Sequence, residues 1–263
     1  MINSLILLDF DGVIADSAPE CFETTYKAAL SISRKSNCNE LLSIKQTPRK
    51  KLKSVFIFYR GIVGPPEHFL SLLLLSKKLI DENKEYQINN NKLLNLFNNF
   101  NNKKNIDFIN FKKVFFQIRH KDLRKLNKFI SMNLPTNFTE LLIDEIGKNW
   151  PFFILSAKDE KTIKLWLDFY KIEVKGIIGN KMIEKYNNSK YLSVKNYFFN
   201  TDKKFKNGLF IDDFVEHLDS KFNKLGIETY FANWGYGKNN NKKIDSIDIK
   251  QAVKKIKLML KQN

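Results

Sequence analysis

Residues 5–17, LILLDFDGVIADS, lie near the start of the 263-residue chain and combine a short apolar run with a pair of acids. Four apolar residues run directly into two acids, Asp9 and Asp11, and Gly12 follows. A short apolar run without polar alternation is typical of a strand covered on both faces, as in a parallel sheet. Ligands of such sheets bind beyond the carboxyl ends of the strands. The two acids are therefore predicted to lie at a binding edge.

Similar apolar runs recur in the second half of the chain, at residues 152–155, 176–178, 209–211 and 229–231. Helical patterns separate the later runs, at residues 159–170, 189–198 and 215–225, and residues 244–260 are predicted to form a closing helix. Strands that alternate with helices favour right-handed crossovers. The predicted fold class is α/β, with a doubly wound parallel sheet.

The middle of the chain lacks this alternation. Its apolar spacing predicts helices at residues 19–31, 67–81, 93–100 and 108–130, while the asparagine-rich tract 89–105 is expected to contain a loop. The simplest organisation is an α/β core made of residues 1–16 and 132–263. A helical domain, residues 17–131, is inserted after the first strand.

Composition and charge bound the classes of partner. Hydrophobic residues make up 43% of the chain, which favours a folded globule, and the formal net charge is +17. Such a charge often marks nucleic-acid binding, but the lysines are spread along the whole chain without a compact arginine cluster or an aromatic RNA-binding motif. A solvated basic surface is the favoured interpretation, and no nucleic-acid partner is expected. The charge also suits a small anionic substrate.

The small number of cysteines and an N-terminal run that does not resemble a signal peptide favour a soluble cytoplasmic protein. Cys21 and Cys38 do not make a disulfide framework in a chain of this length, and the N-terminal apolar run has no basic region before it. The apolar stretch 55–80 contains Arg60, two prolines, Glu67 and His68, which a membrane span would not carry together. We expect no membrane partner, and a monomer or homodimer.

The acid pair has a chemical interpretation. A carboxylate at a strand end can act as a nucleophile, and a second one, two residues on, can act as acid and base. Because Asp9 and Asp11 repel each other, the pair calls for a cation, and Mg²⁺ prefers oxygen ligands. Gly12 would allow a tight turn after them. The alternative is a surface turn rich in Asp and Gly.

Two further strand ends carry polar side chains. Ser156 follows the run 152–155 at the predicted start of a helix, where its hydroxyl and the Ala157 N–H could hold a phosphate. A plain helix N-cap explains Ser156 equally well. Asp212 and Asp213 end the run 209–211 and could complete an acidic metal site. They could also cap the following helix, although buried repulsion makes that costly.

A lysine could neutralise the nucleophile and the phosphate together. Lys190 stands near the start of a predicted helix and is the preferred candidate. In so lysine-rich a chain, Lys181 and Lys185 remain alternatives.

In this order, the four pieces resemble the motifs of the haloacid dehalogenase-like (HAD) hydrolase superfamily, C1-cap subclass, phosphoglycolate-phosphatase-like. The first motif, DxDG(T/V), is matched by residues 9–13, and the second, an apolar strand ending in Thr or Ser, by residues 152–156, with Lys158 also family-like. Lys190 matches the third motif and residues 211–213 the fourth. The resemblance implies a Rossmann-like core and a helical cap that closes over it.

The resemblance also implies a mechanism. Asp9 would attack the phosphorus and become an aspartyl-phosphate, while Asp11 would protonate the leaving oxygen and then activate a water. Mg²⁺ would be held by the Asp9 carboxylate, the Asp11 backbone carbonyl and Asp213, with Asp212 in support. The acid at position 11 favours phosphoryl transfer over dehalogenation.

Other residues follow from the same resemblance. Ser156, the Ala157 N–H and Lys190 would hold the phosphoryl oxygens. His217 stands where the family often has an acid or Asn, and it is predicted to be a helix-face residue rather than a metal ligand.

Substrate contacts are predicted in the helical insert. The segment 58–69, FYRGIVGPPEHF, interrupts the helical pattern, and we expect Arg60, and secondarily His68, to bind the substrate. The alternative is a structural turn with a solvated arginine. Residues 233–237, NWGYG, resemble a loop of phosphoglycolate-phosphatase-like proteins and could flank the site or form an ordinary turn.

The sequence thus predicts a Mg²⁺-dependent phosphatase acting on a small phosphorylated metabolite. Two alternatives stay open. One is a HAD phosphotransferase such as a phosphosugar mutase, which uses the same residues. The other is a catalytically silent HAD-like binding protein, which would not need the intact acid pair.

Overall fold

The computed structural model describes residues 4–36, 39–88, 90–102, 106–199 and 205–261. The chain divides into two compact units, one of Met1–Asp16 with Leu134–Asn263 and one of Ser17–Asn133. The chain returns from the helical unit to the first unit between Asn133 and Leu134. The boundary predicted from the sequence, between residues 131 and 132, lies two residues earlier. Cys38 lies outside the described residues.

The first unit is built on a parallel sheet. Its strands, as far as the chain is described, are β1 (Ser4–Leu8), β2 (Ala15–Asp16), β3 (Leu134–Pro135), β4 (Asn149–Leu155), β5 (Glu173–Ile178), β6 (Asn207–Asp212), β7 (Ile227–Ala232) and β8 (Ser246–Ile247). Six of them form one sheet in the order β5-β4-β1-β6-β7-β8, with every neighbouring pair parallel. The remaining two, β2 and β3, pair as an antiparallel ribbon. The predicted parallel α/β fold is confirmed.

Helices flank the sheet and make up the second unit. The second unit contains α1 (Ala18–Ser36), α2 (Asn39–Leu42), α3 (Arg49–Phe58), α4 (Pro66–Asp81), α5 (Asn90–Asn101), α6 (Phe108–Asp122) and α7 (Leu126–Ile130). The first contains α8 (Asn137–Ile146), α9 (Glu160–Tyr170), α10 (Asn180–Lys185), α11 (Lys190–Val194) and α12 (Ile249–Lys261). Among the described residues, no helix has the length and hydropathy needed to span a membrane.

The position of β1 explains why the opening stretch matters. Every residue of β1 is buried, and the strand lies between β4 and β6. The register pairs Leu8 with Ile154 on one side and with Ile211 on the other. All five predicted apolar runs lie within observed strands, although only β1 is buried at every residue, while β5 and β7 also contain exposed residues.

Several predicted element limits were wrong. Residues 215–225 form two short 3₁₀ helices, Val215–His217 and Ser220–Leu225, and Asp219, which lies between them, is the N-cap of the second. Residues 108–130 are split into α6 and α7 by a turn. Helix α5, predicted at residues 93–100 within the asparagine-rich tract, runs from Asn90 to Asn101, and the last predicted helix begins with strand β8.

A buried ion pair joins two helices of the helical unit. Arg119 on α6 donates from Nε and Nη2 to the two carboxylate oxygens of Glu20 on α1, each at 2.9 Å. Both side chains are almost fully buried, and Thr24 Oγ1 donates a further bond to Glu20 Oε1 at 2.8 Å. The Arg119 guanidinium also lies 4.5 Å from the ring centre of Phe115. The pair therefore fixes the packing of α1 on α6.

Replacing Arg119→Met is expected to lower the free energy of unfolding by about 3–5 kcal/mol, because it leaves the Glu20 carboxylate buried without its cation. Urea unfolding followed by circular dichroism measures the change. The matched control is Lys84→Met, which removes a half-exposed partner of Glu82 and should leave the free energy of unfolding almost unchanged, because exposed ion pairs contribute little to stability. Equal stability of Arg119→Met and wild type would contradict a structural role for the pair.

Candidate active site

Strand register brings three acids together at the carboxyl edge of the sheet. Leu8 pairs with Ile211, so the residues that come next are Asp9, directly after β1, and Asp212, the last residue of β6. The Asp9 N–H donates to the Ile211 carbonyl at 3.0 Å. Asp213 follows directly. One carboxylate oxygen from each acid lies within 4.8 Å of the others, and all three residues are buried. A buried cluster of this kind could bind a metal ion.

A lysine bridges two of these acids. The Lys190 ammonium lies 2.8 Å from Asp9 Oδ1 and 2.6 Å from Asp212 Oδ2, and its side chain is 1% exposed. Lys190 is the first residue of α11, where the Ser189 side chain accepts the N-cap bond. Lys181 and Lys185 are exposed. Of the three lysines considered from the sequence, the structure places Lys190 beside Asp9.

Burial and charge act in opposite directions on this group. Burial, reinforced by the charge of Asp212, raises the pKa of the Asp9 carboxyl despite the nearby Lys190. Burial also disfavours ionised Asp212, but Lys190 and His217 outweigh it and hold the pKa of Asp212 well below its usual range. Burial works against the charge of Lys190, yet Asp212 and Asp9 together raise its pKa. A Lys190–Asp212 ion pair therefore stands next to an acid that its surroundings keep from ionising easily.

The second acid of the opening stretch has its own lysine. Asp11 Oδ1 accepts a bond from Lys158 Nζ at 2.9 Å, with the lysine side chain fully buried and the Asp11 side chain 17% exposed. Between the two acids, the Phe10 ring packs edge-on against Trp166. The sequence marked Lys158 only as family-like and gave it no contact. Its place two residues after Ser156 was the one available signal.

Ser156 is not at the start of a helix. It is buried beyond β4, its N–H donates to the Ile178 carbonyl at 3.1 Å, and its Oγ accepts from the Lys158 N–H at 3.4 Å. Helix α9 begins later, at Glu160, and Asp159 supplies its N-cap. The expectation that Ser156 and the Ala157 N–H stand at a helix N-terminus was wrong. Their role in phosphate binding stays a prediction without help from the helix dipole.

The NWGYG segment lies against the acid cluster. The Tyr236 N–H donates to Asp213 Oδ2 at 2.6 Å. A Cβ built on Gly235 or Gly237 would come closer than 3.0 Å to atoms of Asp213, a distance that real Cβ atoms essentially never show. Gly12, with φ of +84°, makes an equally close approach from the opening stretch. The glycines at these positions allow backbone to pack directly on Asp213.

His217 contacts the cluster, which the sequence did not predict. Its Nδ1 lies 3.0 and 3.2 Å from the two oxygens of Asp212, and Asp212 Oδ1 also accepts the Phe214 N–H at 2.8 Å. The 3₁₀ geometry of Val215–His217 turns the imidazole back toward the strand end. The expected regular helix would have followed a different path.

The two predicted substrate residues lie in the helical unit. Arg60 is buried there, with Nη1 donating to the Val63 carbonyl at 2.7 Å and the guanidinium 4.6 Å from the Phe69 ring centre. His68 is in the first turn of α4, against the Phe97 ring, and burial lowers its pKa. Contact of either residue with substrate stays a prediction.

Comparison with known proteins bears on the fold. No protein-family model and no curated protein matches the sequence. Among solved structures, a predicted phosphoglycolate phosphatase from Haemophilus somnus 129PT is 14% identical, with 96% of this chain and 97% of that chain covered and a TM-score of 0.53. A second predicted phosphoglycolate phosphatase, from Lactobacillus delbrueckii subsp. bulgaricus, is 12% identical, with 97% and 99% covered and a TM-score of 0.55.

A haloacid dehalogenase-like hydrolase from Streptococcus pneumoniae is also similar. It is 17% identical, 94% of this chain and 93% of that chain are covered, and the TM-score is 0.50. At such identities, likeness to solved structures establishes the fold. The chain therefore has the fold of the haloacid dehalogenase-like hydrolases, as the motifs at residues 9–13 and 211–213 predicted.

Proposed function

We propose that this protein is a Mg²⁺-dependent phosphatase that hydrolyses a small phosphorylated metabolite in the cytoplasm through an aspartyl-phosphate intermediate. The observation that carries the proposal is the position of Asp9. Its carboxylate is buried at the end of a central strand, beside Lys190 and two further acids. Similarity to predicted phosphoglycolate phosphatases makes 2-phosphoglycolate the first substrate to test.

The charges of the site support a divalent cation. Four carboxylates, those of Asp9, Asp11, Asp212 and Asp213, share two ammonium groups, those of Lys158 and Lys190. When all six side chains are ionised, their sum is −2. Buried like charges are costly unless neutralised, and carboxylate oxygens are the ligands that Mg²⁺ prefers.

In this proposal, the metal ligands are the carboxylates of Asp9 and Asp213 and the backbone carbonyl of Asp11. Asp212 supports them by orienting Lys190. When bound, Mg²⁺ would neutralise charge on the phosphoryl oxygens.

Asp9 is the proposed nucleophile. One of its oxygens forms a bond to phosphorus while the bond from phosphorus to the substrate oxygen breaks, which leaves a phosphoryl group on Asp9. Lys190 orients the attacking carboxylate and, with the proposed contacts of Ser156 and the Ala157 N–H, holds phosphoryl oxygens. Positioning and charge neutralisation of this kind supply most of what phosphoryl transfer requires.

Asp11 is the proposed proton carrier. It gives its proton to the departing oxygen, and as a carboxylate it then takes a proton from the water that attacks the phosphorus and releases phosphate from Asp9. The bond from Lys158 to Asp11 Oδ1 holds this side chain in place. A binding protein without catalysis would gain nothing from this second acid.

Asp9→Asn should lower kcat on 2-phosphoglycolate and on a panel of phosphometabolites by about 10⁴-fold or more, because the amide is a poor nucleophile. Phosphate release in the presence of Mg²⁺ is the measurement, with circular dichroism as the check on folding. Wild-type inactivity on the whole panel, or equal rates for the variant, would contradict the proposed reaction.

Asp11→Asn should separate substrates by their leaving groups. An alkyl phosphate needs a proton on its departing oxygen, so its turnover should fall by about 10²–10⁴-fold. 4-Nitrophenyl phosphate needs none, and the variant should release about one nitrophenol per enzyme before slowing, because water activation is lost. Equal losses on both substrates, without a burst, would exclude Asp11 as the proton carrier.

Removal of metal should abolish activity, and Mg²⁺ should restore it. In wild type, Mg²⁺ should also raise the melting temperature, since it binds the folded state alone. Asp213→Asn should lose this stabilisation. Asp144→Asn, which changes an exposed acid of α8, is the charge-matched control and should keep it. Mg²⁺ stabilisation of Asp213→Asn equal to that of wild type would remove Asp213 from the metal site.

A further inference from the structure

We propose that the loop of residues 233–237 is a positioning element for the metal site, in which Tyr236 ties the Asp213 carboxylate to Asp16. Asp16 ends β2 and is the last residue before the chain enters the helical unit. The inference rests on the proposed function, because it takes Asp213 as a metal ligand. It adds Tyr236 as a residue that acts through Asp213 without contacting the substrate.

Tyr236 contacts Asp213 through its backbone. The Tyr236 N–H donates to Asp213 Oδ2 at 2.6 Å, a short hydrogen bond to a charged acceptor. Such a bond fixes the rotation of the carboxylate, and a metal site needs its ligands held in one orientation.

Glycines pack closely around Asp213. A Cβ on Gly235 would meet the Asp213 side chain, and one on Gly237 would meet the Asp213 carbonyl oxygen. On Gly12, a Cβ would meet both Asp213 Oδ2 and the Tyr236 ring. Loop 233–237 and the turn at Gly12 therefore enclose Asp213 with backbone atoms. A turn that merely reversed the chain would not need glycine at each of these contacts.

The Tyr236 hydroxyl makes a second contact, with Asp16. Tyr236 OH donates to Asp16 Oδ1 at 2.7 Å. Strand β2 pairs with β3, with Asp16 opposite Leu134, so this ribbon contains both points where the chain passes between the two units. One residue thus holds a proposed metal ligand with its backbone and one of the two chain crossings with its side chain.

The loop has an anchor that is independent of the phenol. Trp234 Nε1 donates to the Val13 carbonyl at 3.1 Å, and its ring stacks on Phe138 with centroids 4.8 Å apart. Because this anchor remains when the phenol is removed, Tyr236→Phe tests the link to Asp16 without dismantling the loop. The backbone bond to Asp213 is also retained.

Linkage makes the coupling reciprocal. If Tyr236 joins Asp213 to the β2–β3 ribbon, Mg²⁺ at Asp213 stabilises the ribbon, and loss of the ribbon contact weakens Mg²⁺ binding by the same factor. Allosteric couplings of this kind are roughly 5-fold or more. A purely structural tyrosine would change stability but not Mg²⁺ affinity.

The experiment measures Mg²⁺ binding by titration calorimetry and amide hydrogen exchange with and without Mg²⁺, on wild type, Tyr236→Phe and Tyr86→Phe. Tyr86 is an exposed tyrosine of the helical unit and is the matched control. We expect Mg²⁺ to slow exchange at residues 13–17 and 133–137 in wild type. Tyr236→Phe should bind Mg²⁺ roughly 5-fold more weakly and lose this Mg²⁺-dependent protection, while Tyr86→Phe should match wild type.

A second pair of variants tests the glycine contact. Gly235→Ala should weaken Mg²⁺ binding more than Tyr236→Phe does, because its Cβ displaces Asp213. Gly147→Ala, where a Cβ meets no atom within 4 Å but φ is +75°, should lower stability and leave Mg²⁺ affinity unchanged.

Wild-type Mg²⁺ affinity and protection in Tyr236→Phe would overturn the inference and leave the proposed phosphatase standing. Absence of Mg²⁺ binding in wild type would overturn the inference and the metal dependence of the proposed function together.

Discussion

Repulsion among buried carboxylates is the constraint on which this site depends. Asp9, Asp212 and Asp213 meet where two parallel strands end, and one cation, Lys190, bridges the first two. Burial raises the pKa of Asp9 while Lys190 keeps Asp212 ionised. Buried charges of this kind contribute less to the stability of a fold than apolar side chains of similar volume would. In the proposed function, these carboxylates would bind a divalent cation and act on a phosphorylated substrate.

The α/β unit supplies each member of the site from a different part of the sequence. Strands β1 and β6 deliver the acids in register, α11 begins with the bridging lysine, and the segment after β4 brings Lys158 to Asp11. Loop 233–237 contacts Asp213 through the Tyr236 N–H. Since each contact joins residues distant in sequence, the site exists only when the sheet is assembled. Its geometry is a direct product of the sheet order.

The strands and the acids that follow them could be predicted from the sequence. The contacts that other side chains make with these acids could not. Buried parallel strands have a distinct signature, an apolar run without alternation, and acids directly after such runs are unusual enough to notice. The partner of Lys158 and the contact of His217 with Asp212 depend on long-range packing and on a 3₁₀ turn, for which a single sequence has no clear signal. Helix α5 extends past the predicted residues 93–100 on both sides within an asparagine-rich tract, because its buried apolar residues, Leu93 and Phe97, outweigh the low helix propensity of asparagine.

The proposed reaction requires that phosphorus becomes bonded to Asp9 during turnover. The most direct measurement uses Asp11→Asn, in which hydrolysis of the intermediate should be slow. After reaction with 4-nitrophenyl phosphate and Mg²⁺, the protein is quenched and treated with borohydride, which reduces an acyl phosphate to an alcohol, and the peptide containing residue 9 is sequenced by mass spectrometry. If phosphorus bonds to Asp9, this peptide contains homoserine at position 9. Release of nitrophenol with an unaltered aspartate at position 9 would contradict the proposed reaction.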